Sequence, residues 1–383
     1  MDIVNNDGIT PFIDSNGNTP LILACSKGSV ITASKLLEHP KECKLNHVNK
    51  YGNTALIWAC QKGLEKVALK ILEYPEDCNL GQVNNNGNTA LIWACKKELE
   101  IATLKILEYP EECNLSQVNT IGNTALIWAC QKGLEKVALK ILECSGQCSL
   151  GQVNKNGNSA FTWACLSRLE EVALKILEYP EECKLNQVTK YGSTPLIKAC
   201  VYGLEKVALK ILEYPEECNL GQVNTALIWA CQNKLETVAL KILEYPEECN
   251  LSQVRRNSNT ILIIACQNNL EKVALKILEY SKECMINHVN RYGKSALSCA
   301  QKNSLNKVVI KIKEIRMKNE QVFSLYVKNQ CTVCWEETNK YYCIPECKHC
   351  VSICSECNIY QLINCSLCRN KIDHETIIPL SIT

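Results

Sequence analysis

The sequence predicts a mostly α-helical chain: a solenoid of about nine helix-turn-helix units, followed by a small domain held together by metal. Three observations predict it. One pattern recurs about every 35 residues as far as about residue 315. Each copy carries a turn signal and then two short helical stretches, and the cysteines, evenly spread at first, crowd together between Cys331 and Cys368.

The repeat is the strongest signal. NTALIWACQKGLEKVALKILE begins at Asn53 and again at Asn123, with close variants elsewhere. Indexed on its Thr or Ser, the pattern falls at Thr19, Thr54, Thr89, Thr124, Ser159, Thr194, Thr225, Thr260 and Ser295, in steps of 35 except for the 31 between Thr194 and Thr225. Within a unit, Asn-x-x-Gly-Asn, as at Asn84–Asn88, is turn chemistry, because Gly and Asn tolerate positive φ. The Thr that follows is a helix cap, and Pro20 and Pro195 stand at the first helical position, where a missing N–H costs nothing. In the second helix Leu64, Val67, Ala68, Ile71 and Leu72 form one apolar stripe, and Tyr74-Pro75 ends it. So small a unit cannot bury its own stripe, so neighbours must stack. At the short step, Val223-Asn224-Thr225 replaces Val-Asn-x-x-Gly-Asn-Thr, which predicts a missing tip and a gap or kink in the row of tips.

The cysteines of the repeats fall into two columns. One follows the alanine of the first helix, from Cys25 and Cys60 to Cys266; the other follows the second helix, from Cys43 and Cys78 to Cys284. No His recurs beside either column, so these are small apolar core residues rather than metal ligands. Cys144 is an extra thiol in a loop. Trp58, Trp93, Trp128, Trp163 and Trp229 make a further column, read as packing in the core or on the inner surface.

Thr19-Pro20-Leu21-Ile22-Leu23-Ala24 and Thr194-Pro195-Leu196-Ile197-Lys198-Ala199 resemble the T-P-L-H-x-A signature of the ankyrin-repeat family, with Ile in place of its His and units about two residues longer. The resemblance covers residues 8–315. It implies protein binding through the turn tips and the exposed side of the first helices, with no catalytic machinery in the array. Residues that vary between units carry the recognition, which singles out the tip residues Tyr51, Ile121, Tyr191, Arg255, Arg256, Arg291 and Tyr292.

Composition bounds the partners and the compartment. Lys+Arg is 42 against 40 for Asp+Glu, a net charge of +2, so bulk charge points to neither nucleic acid nor membrane. The start, MDIVNNDGIT, lacks the pattern of a signal peptide, and no apolar run nears the ~18 residues of a membrane span. The reading is a soluble chain of the cytoplasm, with the nucleus also open to it, whose 27 cysteines stay reduced.

After Ser304 the pattern fades through LNKVVIKIKEIRMKNEQ, a last helix running into a linker placed at 316–330. Then come Cys331 with Cys334, Cys347 with His349, Cys354 with Cys357, and Cys365 with Cys368. Two thiolates in CxxC reach one ion; a tetrahedral zinc takes four ligands, and eight imply two zincs. A segment of ~40 residues with so little apolar content needs metal binding to fold.

This order of ligands resembles a RING finger over residues 331–372. The resemblance implies interleaved sites. Cys331, Cys334, Cys354 and Cys357 would hold one zinc; Cys347, His349, Cys365 and Cys368 would hold the other. Cys350 is the alternative to His349, because it leaves the more usual three residues before Cys354, and Cys343 is a remoter third. The family docks a ubiquitin-conjugating enzyme charged with ubiquitin and acts by proximity, without covalent chemistry of its own. Val333, Leu362 and Leu367 would then contact the conjugating enzyme, and Arg369 would bridge it to ubiquitin, while Ser366 replaces a usual Pro and Gln361 is polar where a contact is expected. The joint expectation is a RING-type ubiquitin transferase whose repeats bind a protein substrate. The alternative is a non-catalytic ankyrin scaffold whose RING only dimerises or docks a partner. A zinc hydrolase is excluded on this reading, since each zinc position is filled.

Overall fold

The computed structural model describes residues 13–144, 148–218, 222–245, 248–254, 258–280 and 284–326, and the strands at 340–344, 349–353 and 378–380; from residue 317 on the description is of backbone alone. The first helices of the units are α1 (Pro20–Ser26), α3 (Ala55–Lys62), α5 (Ala90–Lys96), α7 (Ala125–Lys132), α9 (Ala160–Leu166), α11 (Pro195–Tyr202), α13 (Val223–Gln232), α15 (Ile261–Gln267) and α17 (Ala296–Lys302). The second helices are α2 (Val30–Leu36), α4 (Glu65–Ile71), α6 (Glu100–Ile106), α8 (Glu135–Leu142), α10 (Glu170–Ile176), α12 (Glu205–Ile211), α14 (Glu236–Ile242), α16 (Glu271–Glu279) and α18 (Asn306–Tyr326). First helices pack on first helices and second on second, so the array has two layers with the core between them. The last helix continues to Tyr326, inside the segment expected to be a linker.

The caps are those the sequence predicts. The Thr54 hydroxyl accepts the Ile57 N–H at 3.2 Å, and Thr19, Thr89, Thr124, Ser159, Thr194, Thr260 and Ser295 make the same bond. Each is worth about 1 kcal/mol. Gly63, Gly133 and Gly203 end their first helices at φ 74°, 72° and 75°, the left-handed turn that sends the chain back into the second helix. Thr225 departs from the expectation. It lies inside α13, whose N-cap is Gln222 without a side-chain bond. With no tip residues to hold it extended, Val223-Asn224 joins the helix instead.

The core is built from Leu56, Ile57, Ala59 and Cys60 of the first helix and Val67, Ala68, Ile71 and Leu72 of the second, with their counterparts in the other units except at a few positions of the first and last, such as Thr32 and Ser298. Both cysteine columns are buried, as expected for core residues, and none of the thiols is in a disulfide. The second column has a further role. Cys43 Sγ donates to the Leu36 carbonyl at 3.1 Å and Cys78 Sγ to the Ile71 carbonyl at 3.5 Å, so the thiol closes off the end of the second helix. Cys144 alone among these thiols is half-buried.

In the cysteine-rich segment three strands form an antiparallel sheet in the order β2-β1-β3: β1 (Lys340–Ile344), β2 (His349–Ile353) and β3 (Ile378–Leu380). Ile344 pairs with His349 and Cys343 with Cys350. Among the described residues no helix is long and apolar enough to cross a membrane.

Burial makes the array sensitive to alkali. It pushes the thiols of Cys25 and Cys78 up to about 12 from an ordinary 9.0. Above pH 9 the unfolded chain therefore releases protons that the native chain keeps, and stability falls as pH rises. One unit above the unfolded value, each such thiol costs about 1.4 kcal/mol. The melting temperature followed by circular dichroism should drop steadily between about pH 9 and pH 10.5. Replacing Cys25 and Cys78 by Ala should lessen that drop without abolishing it, because the other buried thiols remain; a flat profile in the parent chain contradicts the account.

Candidate protein-recognition face

Five of the described tips are organised by one asparagine, Asn49, Asn84, Asn119, Asn154 or Asn290. Asn49 Oδ1 accepts the amides of Tyr51 at 3.0 Å and Asn53 at 2.9 Å, while its Nδ2 donates to Asn18 Oδ1 in the preceding unit at 2.7 Å. Asn84 reaches Asn53 and Asn119 reaches Asn88, each at 2.9 Å, and Asn290 reaches Asn259 at 2.6 Å. Gln82 and Gln117 add bonds to the carbonyls of Gly52 and Gly87, and the His47 ring binds that of Gly17. Backbone bonds complete the row: the amides of Asn85, Thr120, Lys155 and Lys190 donate to the carbonyls of Tyr51, Asn86, Ile121 and Asn156 at 3.0 to 3.2 Å.

The row stops where the short step predicts. A Cβ placed on Gly87 would lie 2.8 Å from the Asn119 Cα, but one on Gly192 would meet nothing within 4 Å, because no tip follows it. Thr189 already replaces the bridging asparagine, and its hydroxyl accepts only the amide of Ser193. Among the described residues the Tyr191 carbonyl has no backbone amide opposite it, unlike the carbonyls of Tyr51 and Ile121.

Of the predicted tip residues, Tyr51, Ile121, Tyr191 and Tyr292 are exposed, Tyr191 by 83%. Arg291 is exposed as well, with its guanidinium 4.7 Å from the Tyr292 ring centre and a hydrogen bond to that hydroxyl. Arg255 and Arg256 lie outside the described residues. So do Cys331, Cys334, Cys347, Cys354, Cys357, Cys365, Cys368, Val333, Leu362, Leu367 and Arg369; His349 and Cys350 are placed as backbone in β2.

The tryptophan column lies along the first-helix layer, as the packing reading expects. Trp128 is buried and the others are half-buried. Lysines cover three of the rings: Lys62 Nζ is 5.6 Å from the Trp58 centre, and Lys96 Nζ is 4.6 Å from Trp93 and 5.0 Å from Trp128. The indole N–H groups of Trp58, Trp93, Trp128 and Trp163 are buried without an acceptor. Sequence reasoning missed this lysine set because it used total charge. Sorting charges by position within the repeat is the signal that finds it.

Residues 3–82 and 68–150 match the family model described as ankyrin repeats (3 copies). Among solved structures, the ankyrin repeat domain of Bcl-3, described as a unique member of the IkappaB protein family, is similar at 18% identity and a TM-score of 0.39, over 69% of this chain and 99% of its own. No curated protein matches. The described array is a mostly helical solenoid, and its first units, within residues 3–150, are similar to ankyrin repeats.

The tip contacts set a graded cost for adding a methyl group. Gly192→Ala meets only the left-handed backbone at φ 70°, worth about 1 kcal/mol. Gly87→Ala adds a backbone clash and should cost at least about twice that. Urea midpoints of the two variants test this; equal losses would mean that the tips are not in contact.

Proposed function

We propose that the chain is a RING-type ubiquitin ligase of the cytoplasm, in which the repeats hold a protein substrate and the cysteine-rich segment recruits a charged ubiquitin-conjugating enzyme. One observation carries the reading: the ordered set Cys331, Cys334, Cys347, His349, Cys354, Cys357, Cys365 and Cys368 follows a binding array on the same chain. Seven thiols and an imidazole are the donors that zinc prefers, so the residues suit two ions, with Cys350 the alternative to His349. Zinc would supply folding energy there and leave no position for a reactive water.

Arg369 would carry the chemistry of positioning. A guanidinium directly after the last ligand offers a fork of donors that can tie ubiquitin to the conjugating enzyme and hold the thioester ready for attack. Val333, Leu362 and Leu367 would form the apolar contact with the conjugating enzyme. The array raises the concentration of substrate lysines near that thioester, since both sites share one chain. Ser366 and Gln361, polar where the family contact is apolar or proline, favour a second reading: a scaffold whose RING only dimerises or docks.

Two measurements separate these readings. Metal analysis should find about two zincs per chain, and one or none removes the interleaved arrangement. With a panel of conjugating enzymes the purified chain should build ubiquitin chains, and Arg369→Ala should slow them by about tenfold, the value of one charge-assisted bond. Two zincs without chain building, and no effect of Arg369→Ala, would establish the scaffold instead.

A further inference from the structure

The balanced total charge conceals a one-sided distribution. Across the tips and first helices, each counted through the residue that closes the helix, fourteen described lysines and arginines face only two carboxylates, Asp14 and Glu98. Both carboxylates are engaged. Asp14 Oδ1 accepts the amides of Asn16 at 2.9 Å and Asn18 at 2.8 Å within its own turn, and Glu98 Oε1 meets Lys132 Nζ at 2.7 Å. The second-helix layer is different. There the last-turn lysines Lys105, Lys140, Lys175, Lys210, Lys241 and Lys276 each meet a glutamate three residues on at 2.6 or 2.7 Å, and Lys206 and Lys272 lie 3.9 and 3.7 Å from Glu170 and Glu236 of the preceding unit. The first-helix layer therefore carries an uncompensated positive field, while the rest of the sequence is net acidic.

We propose that this face binds an acidic, extended polypeptide segment, which pairs its backbone with the Tyr191 carbonyl in the gap left by the missing tip. The inference rests on the array being the substrate-binding part of the chain, and not on the ligase chemistry. Charge complementarity selects an anionic partner. Three features select polypeptide over nucleic acid. The gap presents a carbonyl acceptor, which suits an amide N–H; a phosphodiester backbone has no such donor. The rings of Trp58, Trp93 and Trp128 are half-buried or buried with ammonium groups over them, so these three offer no clear face for base stacking. Tyr51, Ile121 and Tyr191 add exposed apolar contacts that apolar side chains of a peptide can meet. Lys190 and Lys198 are the cations nearest in sequence to the gap, one on the last tip before it and one at the position held by tryptophan in most other units.

The test uses the full chain and a fluorescein-labelled peptide of Glu-Glu-Leu-Ser repeats, followed by anisotropy. The peptide should bind, and should weaken as salt rises to about 0.2 M. Lys190→Glu with Lys198→Glu should weaken it by about tenfold, whereas Lys206→Glu with Lys272→Glu, on the second helices, should not. Copying Asn85–Asn88 between Asn224 and Thr225 restores a tip without changing charge and should also weaken binding by about tenfold. Melting curves confirm that each variant folds, and Lys190→Gln with Lys198→Gln serves if the reversal does not. Tighter binding of an oligo(dT) strand, equal binding of a Lys-Lys-Leu-Ser peptide, or indifference to both the charge reversal and the inserted tip overturns the proposal. None of these arms contains ubiquitin, so failure here leaves chain building intact, and failure of chain building leaves this result standing.

Discussion

Four unit boundaries of the array are held by an amide pair, Asn18–Asn49, Asn53–Asn84, Asn88–Asn119 and Asn259–Asn290. At the boundary after Asn123, its Oδ1 is buried without a partner among the described residues. Asn49, Asn84 and Asn119 each hold their own turn with the side-chain oxygen and reach the preceding unit with the side-chain nitrogen. A buried amide that lost either partner would cost about 1–3 kcal/mol, so the turn and the stacking cannot form separately. This couples local conformation to the repeat. The turn is held in shape by the same residue that demands a neighbour, and the glycine beside it is needed because that neighbour's backbone passes so close. A single unit would leave both the amide and its apolar stripe unsatisfied.

The same stacking separates charge. Second helices offer i,i+3 spacing on which Lys and Glu neutralise each other, and exposed pairs of this kind add little stability. Their effect is to keep that layer electrically quiet. The first helices end at a left-handed residue after about two turns and carry Lys where a partner carboxylate has no place, so positive charge accumulates along the tips. The cation over an indole ring holds these ammonium groups without discharging them, since the ring contributes a quadrupole and no counter-charge.

Much of this was legible in the residues. The 35-residue step, the hydroxyl caps, the apolar stripe and the burial of both cysteine columns follow from periodicity and side-chain chemistry, and each appears as read. Thr225 was misread because a cap is a property of the chain before it. The hydroxyl is present, but without Asn-x-x-Gly-Asn nothing holds the preceding residues extended, and they wind into α13. The Lys face escaped because a net charge sums over surfaces that only folding separates. Conversely, the proposed zinc ligands rest on sequence order alone, a pattern specific in its spacing and lying almost wholly outside the described residues.

The seventh unit shows why a missing tip need not weaken the solenoid. Removing four residues deletes the amide bridge and the backbone bond to Tyr191, but it leaves the helix layers in contact, because α11 and α13 still pack directly. The opposite end of α13 supplies a replacement. Asn233 Nδ2 donates to the carbonyls of Cys200 at 2.8 Å and Val201 at 2.9 Å, binding the end of one first helix to the next. Asn303 makes the same pair of bonds to Cys266 and Gln267 two units on. Two bonds at the C-terminal end of the helix thus offset part of what is lost at its N-terminal end, where Asn224 Oδ1 is buried without a hydrogen-bond partner among the described residues. Stability and the tip row are therefore separable at this boundary. A gap that costs the core little is a place where the surface can differ from its neighbours, and the residues bordering it, Lys190, Tyr191 and Lys198, differ from the Asn, Asn and Trp of the third unit.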